Sequence, residues 1–72
     1  MENLIYTALL KEAEAKAAEA KAILWTYMNK PVGIGEHPQL VEEATKYLDQ
    51  LASAHDRVEA LREFFNEDGS IK

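Results

Sequence analysis

Lys21 borders an apolar helix face, at about 60° from Tyr6 on a helical wheel, and Arg62 interrupts an apolar turn between Leu61 and Phe65. A cation at such a margin can reach a partly dehydrated anion while its aliphatic stem packs against the protein. The plainer reading of each is a charged rim residue. Lys11, Lys16 and Lys21 are spaced by five, which turns successive lysines by about 140° and so forms no single basic stripe. Lys11 and Lys16, set among Glu12, Glu14 and Glu19, read as solvated charge. His55 and Glu59 have the i, i+4 spacing of a metal clamp, with Asp56 adjacent, but charged helix faces produce that pairing by chance, so no metal is expected. His37, before Pro38, reads as a capping or loop-packing residue. Gly33-Ile34-Gly35 lacks the preceding strand and the third small residue of a dinucleotide fingerprint, and turn geometry alone accounts for both glycines.

Catalysis needs converging groups, and few are present. There is no cysteine, the threonine and serine hydroxyls on or near helices are few, Thr7, Thr26 and Ser53 among them, and the two histidines, His37 and His55, are a quarter of the chain apart. The expectation is a protein that is not an enzyme, with no catalytic residue and no cofactor.

The elements that must position these side chains follow from punctuation. Four of the five Gly and Pro residues fall between Pro31 and Pro38, which marks one central connection. From Leu4 to Met28 there is neither residue, and alanine is abundant, so helix is favoured, with Asn3 as its N-cap. Pro38 suits a first helical turn, Gln39 to Asn66 run unbroken, and Gly69 supplies a stop. The expected fold is all-α, a single domain over residues 1–72. It is an antiparallel helical hairpin with helices at about 4–29 and 38–67 and a loop at 30–37.

On the second helix, alternating steps of four and three pick out Leu40, Ala44, Tyr47, Leu51, Ala54, Val58, Leu61 and Phe65, a coiled-coil-like seam. On the first, Tyr6, Leu9, Leu10, Ala13, Ala17, Ala20, Leu24, Tyr27 and Met28 share an uncharged arc of about 100°. Leu4, Ile5, Ile23 and Trp25 point elsewhere, beyond the reach of one partner helix. That surplus predicts further copies of the chain, a symmetric homo-oligomer.

The chain has 72 residues, too few to stabilise a large core, and without cysteine it has no disulfide to help. Asp and Glu number 13 against 8 Lys and Arg, a net charge of -5, which disfavours polymeric nucleic acid and anionic membrane as partners. Residues 1–30 hold four acids and four lysines, so the first half is neutral and the second carries the whole deficit. Glu2 and Asn3 stand where a secretory leader would carry basic residues, and no apolar run approaches a membrane span, so a soluble intracellular protein is expected.

Pro31-Val32-Gly33-Ile34-Gly35-Glu36-His37-Pro38 follows an alanine-rich helix with a tyrosine near its start. It precedes a helix carrying Ala54-His55-Asp56-Arg57-Val58-Glu59-Ala60-Leu61. Over nearly its whole length the chain resembles the small phage anti-CBASS sponge proteins. That resemblance implies a homo-oligomer, a hexamer, which sequesters cyclic dinucleotides such as cGAMP, and cyclic trinucleotides, without cleaving them. It would act in immune evasion in the cytoplasm of the infected bacterial host. It implies Tyr6 and Lys21 at a dinucleotide site and Arg62 at a separate trinucleotide site. Thr7 stands beside Arg62's role in that second site, where the family pattern would have a longer amide.

Tyr6 and Lys21 are fifteen residues apart on one helix, roughly 22 Å at 1.5 Å per residue, too far for one compact ligand to touch both. Two antiparallel protomers would bring Tyr6 of one beside Lys21 of the other, twice over about a two-fold axis. The alternative is a helical structural or protein-interaction module with no nucleotide ligand.

Overall fold

The computed structural model describes residues 2–29 and 39–72; the expected loop and Pro38 lie outside the described residues. Two helices are present, α1 (Leu4–Asn29) and α2 (Gln39–Phe64), and they pack antiparallel as an all-α hairpin. Asn3 is the N-cap of α1. Its Oδ1 accepts from the amides of Ile5 and Tyr6, both at 3.0 Å, while its carbonyl accepts from Thr7 at 3.0 Å. Amides that would otherwise lack partners in the first turn are thereby satisfied.

Small residues let the two helices approach. The buried apolar residues are Tyr6, Ala13, Ala20, Leu24 and Ala54, and the three alanines are fully covered. Tyr6, Ala13 and Ala20 recur every seven residues along α1, the repeat that keeps one face against one partner. Around Ala54, the α2 seam of Leu40, Ala44, Tyr47, Leu51, Val58 and Leu61 is half-buried. Leu9 and Met28, on the expected α1 arc, remain 49% and 72% exposed because α2 covers only the middle of that arc.

Polar and aromatic contacts fix the register. The Tyr27 and Tyr47 rings lie 6.3 Å apart, centroid to centroid, and tilted by 41°. Gln50 Nε2 donates to the Lys16 carbonyl at 3.0 Å and to Glu19 Oε1 at 2.8 Å. Near the other end, Arg62 Nη2 lies 3.9 Å from Glu14 Oε2.

The second helix, expected to reach residue 67, ends at Phe64. Residues 65–72 turn back as a hook. Phe65 and Ile71 form an antiparallel bridge, Asn66 N donates to Ser70 O at 2.8 Å, and Lys72 N donates to Phe64 O at 2.9 Å. Asp68 Oδ1 accepts from the Ser70 hydroxyl at 2.6 Å and the Ser70 amide at 2.9 Å, and these bonds hold its carboxyl below the ordinary aspartate range. Short polar side chains that bond nearby backbone offer the chain a competitor to the helical ladder, which is why α2 stops early. Gly69 makes the reversal at φ +88°. Its Cα faces Asn3, whose own amide donates to Glu67 O at 2.9 Å, so the hook is tied to the cap of α1.

Among the described residues, no helix is long and apolar enough to cross a membrane.

Candidate functional site

Tyr6 sits two residues into α1, under the hook, and is only 8% exposed. It lines one shallow groove with Leu9, Leu61, Phe65 and Gly69, and a second with Leu10, Arg62, Asn66 and Lys72. The ring is therefore an element of packing in the single chain. Thr7, one residue on, is half-buried.

Lys21 lies far along the same helix. It is exposed and lines a groove between the helices, with Glu14, Ala17 and Ala18 of α1 and Leu51, His55 and Val58 of α2. Among the described residues its ammonium has no ion pair. A lysine in that setting has a stem packed on apolar neighbours and a charge free to meet an anion.

Arg62 occupies the last turn of α2. Its contact with Glu14 is long, and both side chains are largely in water, at 62% and 47% exposed, so the pair contributes little and leaves the guanidinium accessible. The Lys72 ammonium donates to the Arg62 carbonyl, placing a second cation at the hook end of the groove. Glu67 lines the same groove and partly offsets the two positive charges.

Within the single chain, then, Tyr6 and Arg62 share a groove, whereas Lys21 is separated from Tyr6 by four turns of helix. The two residues that the family resemblance assigns to different sites are the ones brought together. Lys72 and Asn66 were not singled out from sequence. The alternation of short polar residues with Gly69 from Asn66 to Ser70 is a turn signature that could have revealed them. His55 and Glu59 form an exposed pair at 2.5 Å, with side chains 66% and 64% accessible, and among the described residues no group of three metal-binding side chains gathers around them.

Compared with known proteins, the chain matches no protein-family model, no curated protein and no solved structure.

Proposed function

We propose that the protein binds cyclic oligonucleotide second messengers and holds them without cleavage, as the resemblance to phage anti-CBASS sponges implies. In this reading it works as a homo-oligomer, by that resemblance a hexamer, in the cytoplasm of an infected bacterial host. The observation that carries the reading is Lys21: an exposed ammonium without an ion pair among the described residues, at the edge of an apolar groove on the electrically neutral half of the chain. It provides a point charge for a phosphate where no acidic partner has already claimed it.

The hairpin's geometry supports a site shared between copies, because Tyr6 and Lys21 are roughly 22 Å apart along α1. Stacking a base on Tyr6 requires residues 65–72 to shift off the ring, which is nearly covered in the single chain. Arg62, with Thr7, is the proposed trinucleotide contact. The net charge of -5 works against longer nucleic acids.

Isothermal titration with 3′,3′-cyclic dinucleotides tests the reading. Saturable binding is expected, with the ligand recovered intact after heating. Lys21→Ala should abolish it while helical content by circular dichroism stays unchanged, since Lys21 is exposed. Flat titrations across cyclic di- and trinucleotides would favour the second reading, an interaction module. The many exposed large apolar side chains, Leu4, Ile5, Met28, Val41 and Ile71 among them, favour that reading equally.

A further inference from the structure

His55 stands on α2 where two shallow grooves meet. One holds Glu59, Arg62 and Glu63 of the same helix. The other, of about 280 Å³, runs between the helices and sets Lys21 and Glu14 of α1 against Leu51 and Val58 of α2. The imidazole Nε2 is 2.5 Å from Glu59 Oε1, and Nδ1 has no hydrogen-bond partner among the described residues. In the neutral ring the nitrogen beside a carboxylate carries the proton, which leaves Nδ1 an acceptor, unsuited to a phosphate oxygen. A second proton turns Nδ1 into a donor and gives the ring a positive charge.

We propose that His55 is a further anion-binding residue of the Lys21 groove, its protonated ring donating from Nδ1 to a phosphodiester held by the Lys21 ammonium, so that binding takes up a proton. The charges around the groove leave room for such a ligand. Glu14 has Arg62 at 3.9 Å, Glu59 has His55, and Lys21 has no ion pair among the described residues. Glu63 lines only the neighbouring groove, and Asp56, next to His55 in sequence, lines neither.

The proposal rests on the ligand reading for the identity of the anion and adds to it a residue of α2, where the resemblance implies only Tyr6 and Lys21 of α1 for a dinucleotide. His55 and Lys21 belong to one chain, so the contact makes no demand on how copies are arranged. Below the range in which an imidazole titrates, two cations meet the phosphate; above it, Lys21 acts alone beside an acceptor. Affinity should therefore fall as pH rises through the ordinary histidine range, about 6.5. A charge-assisted hydrogen bond gained with that proton should change affinity roughly tenfold.

Calorimetric titration with a 3′,3′-cyclic dinucleotide at about pH 5.5 and about pH 7.5 tests this, on either side of the histidine range. Phosphodiesters keep their charge between those values, so a change in affinity belongs to the protein. Binding should be roughly tenfold tighter at the lower pH, and the heat should depend on the buffer's ionisation enthalpy, which reports proton uptake. His55→Gln, neutral throughout, should flatten the pH profile while helical content by circular dichroism stays constant. Dimethyl phosphate, a phosphodiester without bases, provides a second arm. Adding it should move the His55 proton NMR titration to higher pH in the unmodified chain and not in Lys21→Ala. Equal affinity at the two pH values, or the same profile in His55→Gln, would overturn the proposal and leave the ligand reading intact. A flat cyclic dinucleotide titration beside a dimethyl phosphate response at His55 would remove the ligand reading and keep the anion site; silence from both probes would remove both.

Discussion

Gly69 and Asn3 show how much can depend on one contact between small groups. A methyl group at residue 69 would sit 2.7 Å from Asn3 Nδ2, and the backbone there has a positive φ that L side chains rarely adopt. Gly69→Ala should therefore cost about 1–2 kcal/mol from the backbone alone, and Asn3→Ala about 1 kcal/mol from the lost cap. Because both changes disturb the same junction, the double variant should lose less than the sum in thermal or urea unfolding. Strict additivity would show that hook and cap act independently. Asn3 was readable as a cap from its position before an apolar-periodic run. Its second role, donating to Glu67, was not, because that contact depends on a reversal of the chain 64 residues away.

At the scale of the helices, periodicity revealed most of what was built. The bounds of α1, the seam of α2 and the antiparallel pairing all follow from where apolar residues recur and where Gly and Pro are concentrated. The end of α2 did not follow, since Phe65 continues the seam pattern while the polar residues after it redirect the backbone. Tyr6 was legible as part of the apolar arc of α1, but the neighbours it gains from residues 65–72 were hidden for the same reason, because α2 was expected to run on to residue 67. The tight approach of the helices rests on alanines that α2 covers completely. Ala13→Leu should wedge the helices apart and cost about 1–3 kcal/mol in chemical denaturation, whereas Ala15→Leu, on the exposed side, should fall within about 0.5 kcal/mol of the parent. Equal effects at the two positions would refute the packing described for this seam.

The whole molecule is a rod of 51 × 15 × 14 Å with a thin interior and many large apolar side chains exposed among its charges. Leu4, Ile5, Leu9, Met28, Val41 and Leu48 are each about half exposed or more, and none of the described side chains larger than alanine is completely covered. If copies of the chain cover this surface, the melting temperature must rise with protein concentration, by mass action. A midpoint constant across a hundredfold dilution would mean that single chains bear the exposed surface unaided. The hook gives the rod an unequal mechanical character. Because Asn3 is fastened to Glu67 at one end, tension applied through residues 3 and 72 would not stretch the helices together. It would peel them apart like the two sides of a zipper, loading one rung at a time, beginning with the clasp formed by the cap and the hook.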